Sequence, residues 1–264
     1  MARNFDFGAE VAKSEGKVFK NPEVGDHEAV ISGIIHVGSF QDIFKQGGKV
    51  DVKKPANYVL VKVILMGDED KNDDGSRMEQ WMSMALKSGD KATLTKFLNA
   101  VDPKELLGGF DDFIGETLTV SMVGDEKAGK DDEGNFKYVN WKGFAGMPDK
   151  LKKLVLADVE SEGIEMVGHV TFDKLTHEII DTIPPHLVRQ YLLNETQMGK
   201  NLSVEGSHVA AILAEARAAD PDWKKAKAKD DAKPDNKQAV SDTPQSVPEA
   251  SDVATPEMSE EEEY

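Results

Sequence analysis

The chain contains no cysteine, which excludes disulfides, thiolate nucleophiles and thiolate metal ligands, and fits a reducing compartment. Nowhere in its 264 residues does an apolar run approach the roughly 18 residues that a membrane-spanning helix requires. The opening stretch, MARNFDFGAEVAKSEGK, carries charges where a secretory signal has its apolar centre. These absences lead to the expectation of a cytoplasmic protein with no membrane partner. Large aromatics are few, with three Trp and four Tyr, yet 39% apolar residues suffice for a globular core.

Patterns that carry catalysis or bind metals are missing as well. The six histidines, His27, His36, His169, His177, His186 and His208, show no i,i+3 or i,i+4 pairing and no HExxH, so no metal site is expected. GxSxG is absent, and carboxylates are so abundant that no acid–base pair stands out. GDEKAGKD, residues 124–131, has the GxxxxGK spacing of a phosphate loop. It lacks the following Ser or Thr, because Asp131 stands there, and it runs toward another strand rather than a helix. DKNDDG, residues 70–75, copies the start of a calcium loop, but Trp81 occupies the twelfth position, where a bidentate Glu must close the cage. The expectation is a protein without catalysis and without a cofactor.

The formal charge of −17 argues against a nucleic-acid partner until its distribution is considered. Residues 230–264 hold 11 acidic and 2 basic side chains, net −9, which leaves net −8 on the 229 residues before them. Between Ile43 and Val63 the balance reverses to +4, since Lys45, Lys49, Lys53, Lys54 and Lys62 face only Asp51. A positive groove can exist on an acidic chain.

From Lys224 onward the chain is rich in Lys, Asp, Pro, Ser and Ala and poor in large apolar residues, so it cannot offset the entropy of ordering. We expect a folded core over residues 1–222 and a disordered acidic tail over 223–264. Within the core, HEAVISGIIHVGSF reads as a β-branched strand, with Gly33 at a bend or bulge and Gly38 at its exit. A basic loop, QDIFKQGGKVDVKKP, leads to the strand NYVLVKVILMG, then to the turn DEDKNDDGS and a third strand, MEQWMSMAL. The period then changes. Leu94, Phe97, Leu98 and Val101 form the apolar stripe of a short helix, with Ser88 or Asp90 as N-cap and Pro103 beyond its end. The strands ETLTVSMVGDE and FKYVNWKGF follow, joined by KAGKDDEGN.

This β-β-β-α-β-β order predicts a mainly β protein built on a five-stranded OB-fold barrel, with a β-sandwich as the alternative. In the later segment, Leu151–Asp220, KLKKLVLADVESEG and VTFDKLTHEIID fit either strand or helix. PPHLVRQYLLNETQ reads as a helix with Pro185 in its first turn, and SHVAAILAEARAAD as a helix N-capped by Ser207. Both are expected to pack on the barrel.

Aromatic and basic residues interleave where an OB barrel takes up oligonucleotides: the face of its second and third strands and the loops that frame it. Phe40, Phe44, Lys45, Lys49, Lys53 and Lys54 line the loop after the first strand, and Tyr58 and Lys62 lie on the second. Arg77 and Trp81 belong to the third strand, and Phe136, Lys137, Tyr138, Trp141 and Lys142 to the fifth. Ring faces that stack bases contribute roughly 1–3 kcal/mol each, and cations follow the phosphates. The partner these residues suggest is single-stranded DNA. The acidic end, Glu260, Glu261, Glu262, Glu263 and Tyr264, suits two roles: competing for the basic groove, and anchoring on basic pockets of other proteins.

Taken together, GDHEAVISGIIHVGSF, NYVLVKVILMG, KATLTKFLNAV, YVNWKGFAGMP, IPPHLVRQYLLNET and the acidic tail resemble the single-stranded-DNA-binding proteins of tailed bacteriophages. The resemblance implies an OB-fold core that coats single strands during phage replication and recombination in the host cytoplasm. It also implies a tail that recruits replication proteins such as a polymerase or helicase. Two features depart from the family pattern: the core is net acidic, and Leu151–Asp220 exceeds a minimal OB domain. The competing reading is a non-enzymatic interaction scaffold that binds no DNA.

Overall fold

A computed structural model describes residues 20–46, 49–131 and 134–225. The expected tail beyond residue 225, with its partner-binding residues Glu260–Tyr264, lies outside them.

The organising element is β1 (Gly25–Gln46), 22 residues long. Its β-branched run pairs antiparallel with β3 (Ala56–Leu65) on one side and β5 (Thr117–Gly124) on the other. Beyond these lie β4 (Glu79–Ala85) on β3 and β6 (Val139–Gly146) on β5, giving the order β4-β3-β1-β5-β6. These five strands are the five expected from the sequence. The molecule is mainly β with a few helices, but the sheet is not closed into a barrel. Its path ends at β4 and β6, and no ladder joins them among the described residues.

The expected basic loop is itself largely a hairpin. β1 does not exit at Gly38 but continues to Gln46 and pairs with β2 (Lys49–Val52), Lys45 opposite Val50. Register shifts fall between Ile31 and Gly33 and between His36 and Gly38. At the second, Gly38 adopts φ +90°, and a Cβ there would lie 2.7 Å from that of Ser203. Two short strands complete the sheet on β1: β7 (Gly168–Val170), parallel, and β8 (Gly199–Asn201), antiparallel.

Both faces of the central strands are covered, which is why NYVLVKVILM shows no polar alternation: Tyr58 to Leu65 are all buried. On one face Ile34, Val61, Met82, Met84, Leu118 and Trp141 pack with Phe97 of α1 (Thr93–Val101) and with Phe113. α1 matches the expected stripe, but its N-cap is Ala92, without a side-chain cap, rather than Ser88 or Asp90. The opposite face carries Ile35, Phe40, Tyr58, Leu60 and Trp81. These lie under Ile180 of α3 (His177–Thr182), Leu187, Val188 and Tyr191 of α4 (Pro185–Tyr191), and Leu213 of α5 (His208–Ala219).

KLKKLVLADVESEG resolves as the helix α2 (Asp149–Glu162), whose Val155 packs on Val30, Ile64 and Met66. VTFDKLTHEIID divides between the end of β7, a 3₁₀ turn at Phe172–Lys174 and α3. Pro185 stands in the first turn of α4 as expected. Ser207 holds the N-cap position of α5, but its hydroxyl donates to the Val204 carbonyl at 2.7 Å instead of capping an amide. Trp223 and Lys224, assigned to the tail by composition, are docked on α3: Trp223 Nε1 donates to Asp181 at 2.7 Å and Lys224 Nζ to the Ile183 carbonyl at 2.7 Å.

Candidate nucleic-acid interface

The helices α3–α5 decide which expected contact residues reach solvent. Four of the expected aromatics lie in the core: Phe40 and Trp141 at 0% exposure, Tyr58 at 8% and Trp81 at 9%. Phe40, Tyr58 and Tyr191 form a ring cluster with centroids 4.9–5.8 Å apart, and the Tyr58 hydroxyl donates to Asp42. Trp141 sits on the opposite face and donates from Nε1 to the Gly143 carbonyl at 2.8 Å. Phe40, Tyr58 and Trp141 therefore offer no ring face to a base, contrary to expectation, because apolar rings gain most where the helical layer removes them from water.

Three expected cations are engaged as well, Lys53 by an exposed ion pair with Asp51 and two more closely. Lys62 is buried, with Nζ 2.6 Å from Glu79 Oε1 and 5.7 Å from the centre of the Trp81 ring. Arg77 is bound to Glu162 and donates to the Gly67 carbonyl at 2.5 Å. Its hydrogen bond to Glu162 is the main cause that holds that carboxyl down at about 2.

Other expected residues face solvent. Lys45, Lys49, Lys53 and Lys54 are exposed on the β1–β2 hairpin, with Lys53 Nζ 5.5 Å from the ring of half-buried Phe44. Around the β5–β6 connection Lys137 and Lys142 are exposed and Phe136 and Tyr138 half-buried, with Lys130 Nζ 4.6 Å from the Phe136 ring.

A cleft of about 710 Å³ connects these two regions. Its wall includes Glu79–Trp81 and Ser83 of β4, residues 20–22, residues 138–140, and the α3–α4 stretch from Asp181 to Leu187 with Arg189–Tyr191. Thr196 and Met198 also line it, and Gln197 between them accepts from Lys45 Nζ at 2.8 Å, which extends the wall into the β1–β2 hairpin. Asn21, another lining residue, donates to the carbonyls of Phe136 at 3.1 Å and Lys137 at 3.0 Å, which extends it into the segment before β6. Trp81 and Tyr138 are thus the expected aromatics that reach the cleft.

No protein-family model matches the chain, and no curated protein is significantly similar to it.

The charges within the cleft are unequally committed. Its carboxylates are already engaged: Glu79 by Lys62, Asp181 by Trp223 Nε1 at 2.7 Å and His177 Nδ1 at 3.3 Å, and Asp125 by the Lys127 amide at 3.0 Å. Lys224 is anchored on backbone carbonyls, and burial lowers its pKa although Asp181 opposes the shift. Arg189 differs. Its guanidinium makes no hydrogen bond or ion pair with a described residue, and Nη1 is buried without an acceptor.

Sequence reasoning passed over Arg189, though a signal was present. Positions i±3 and i±4 around it are Pro185, His186, Leu192 and Leu193, so its helix offers it no carboxylate. Chemically, the cleft combines an arginine whose Nη1 has no hydrogen-bond partner among the described residues, ring surface from Trp81 and Tyr138, and basic hairpins at its borders. That set suits a flexible polyanion bearing flat groups. Among the described residues no group of three or more His, Asp and Glu side chains is placed to hold a metal ion, and no helix is long and apolar enough to cross a membrane.

Proposed function

We propose that the protein binds single-stranded DNA without sequence preference, through the cleft over β4 and the basic hairpins beside it. The β core is then an open variant of the OB arrangement, with its element order but without closure. Phosphates bind Arg189 and the hairpin lysines 45, 49, 53 and 54, while bases rest against Tyr138, the accessible edge of Trp81, and Phe44 and Phe136 on the hairpins. In this reading the protein acts without catalysis and coats single strands in the cytoplasm of a phage-infected cell. The acidic stretch Glu260–Tyr264 recruits polymerase or helicase. The observation that supports the proposal is Arg189 Nη1, buried without a hydrogen-bond partner among the described residues, in a cleft whose lining carboxylates are each engaged.

The test is a tryptophan-fluorescence titration with oligo(dT) and with duplex DNA at two salt concentrations. Expected are quenching by oligo(dT), weaker duplex binding, and affinity that falls as salt rises. Absence of oligo(dT) binding at low salt would overturn the proposal.

One observation favours a second reading, a protein-interaction scaffold. Val50 and Val52 are 60% and 53% exposed on β2, which pairs with β1 alone among the named strands. A free strand edge with two apolar side chains is suited to strand addition by a protein partner. Under that reading Val50→Lys abolishes partner capture and oligo(dT) does not bind.

A further inference from the structure

Away from the cleft, three residues distant in sequence converge beside β1. β7 pairs in parallel with β1, Ile34 opposite His169, which brings His169 beside His36. The two Nε2 atoms face each other at 2.9 Å. The other nitrogen of His169, Nδ1, lies 3.1 Å from Asp111 Oδ2, in the 3₁₀ turn Phe110–Phe113. The Phe110 ring stands 5.6 Å from each imidazole.

We propose that His36 and His169 form a binding site for a borderline divalent transition-metal ion of the zinc class, with Asp111 orienting His169.

The proton arrangement supports this chemistry. With Asp111 ionised, Nδ1 of His169 is the N–H that it accepts, so Nε2 of the same neutral ring bears a lone pair. His36 Nε2 then supplies the hydrogen between the rings. Moving that hydrogen to Nδ1 of His36 leaves a lone pair on each of the two facing nitrogens.

A tetrahedral ion about 2.0–2.1 Å from both nitrogens places them about 3.3 Å apart. The observed 2.9 Å must therefore widen by only about 0.4 Å, a small rotation of two side chains. A carboxylate accepting the distal N–H of a ligating histidine is the arrangement that fixes tautomer and raises ligand basicity. Two imidazoles select zinc, copper or nickel over magnesium and calcium. Since closed structural sites use four protein ligands, a two-histidine site leaves positions to water or an exogenous ligand, and its metal exchanges. The ion would join β1, β7 and the Phe110–Phe113 turn.

The test uses the metal-free, untagged full chain titrated with zinc chloride, followed by calorimetry and by long-range proton–nitrogen NMR of the imidazoles. Expected are one equivalent bound per chain, shifts of the His36 and His169 signals with those of His177 and His186 unmoved, and no histidine response to magnesium. His36→Gln and His169→Gln should each weaken zinc binding at least about 10-fold, and Asp111→Asn about 10-fold. Zinc should raise the melting temperature of the parent but not of His169→Gln. Unmoved His36 and His169 signals, including the case in which zinc binds only carboxylates elsewhere, would overturn the proposal whether or not the variants fold. Unweakened binding in both Gln variants would also overturn it, and parental affinity in Asp111→Asn would remove the orienting role.

Discussion

Arg77 and Glu162, 85 residues apart, meet as a fork: Nε donates to Oε2 at 2.8 Å and Nη2 to Oε1 at 2.5 Å. The pair ties the turn before β4 to the C-terminal end of α2. An arginine expected to hold phosphate holds the fold instead. Its side chain is 8% exposed and that of Glu162 32%, so the pair is partly screened by water.

Glu162→Gln is expected to cost about 1 kcal/mol at neutral pH, the upper end for partly exposed pairs. The sign of the pH dependence follows from a carboxyl lowered from 4.5 to about 2, chiefly by the Arg77 hydrogen bond. Its stabilisation is complete above about 4.5 and disappears as pH falls toward 2. Thermal melts of parent and variant should therefore differ at pH 7 and converge near the lower value.

His27 responds in the opposite direction. Its Nδ1 lies 2.8 Å from Asp70 Oδ1 and its Nε2 2.9 Å from the Glu23 carbonyl. Burial alone would lower its pKa, but these partners, Asp70 foremost, raise it above 6.5. A raised histidine contributes stability below its unfolded value and loses it as pH climbs through the folded one. His27→Gln should lower the melting temperature more at about pH 5.5 than at about pH 8.5; equal losses would show that the ring acts through packing alone.

The buried and cleft residues should separate cleanly in mutagenesis. Trp141→Ala is expected to cost about 3–5 kcal/mol in chemical denaturation by emptying a packed site. Trp141→Phe should leave the oligo(dT) affinity of folded protein unchanged. Arg189→Ala should keep stability within about 0.5 kcal/mol while weakening oligo(dT) binding and reducing the salt slope by about 1.

Gly38→Ala should be damaging without touching either site. Its φ of +90° is one that side-chain-bearing residues rarely adopt, and the added methyl would meet Ser203 Cβ at 2.7 Å. A loss of about 1–3 kcal/mol is expected, read as a lower urea midpoint at unchanged slope.

Strand and helix order were legible from periodicity, because the runs around Val61, Met82, Phe97 and Val120 each keep one face in the same core. Less legible was which aromatics are buried. Alternation places Tyr58 and Lys62 on one face of their strand, and only the observed register sets Trp81 opposite Lys62; neither says whether water or a helix covers that face. The answer lies in Ile180, Leu187 and Tyr191, more than 95 residues farther along the chain, of which Ile180 lies in a stretch that fits strand or helix equally. The same separation hid the His36–His169 contact, which spans 133 residues. Arg189 was legible in principle, since helical spacing alone denies it a carboxylate neighbour.

The length of β1 has a consequence for how the chain reaches its native state. A strand begun at residue 25 bonds to β3 early, but its last partner, β8, ends at Asn201. During synthesis, hydrogen-bonding groups around Phe40 to Asp42 wait for more than 150 further residues before Gly199–Asn201 can meet them. So late a closure predicts slow, nearly all-or-none folding after most of the chain has left the ribosome, and a nascent edge that invites mispairing until then.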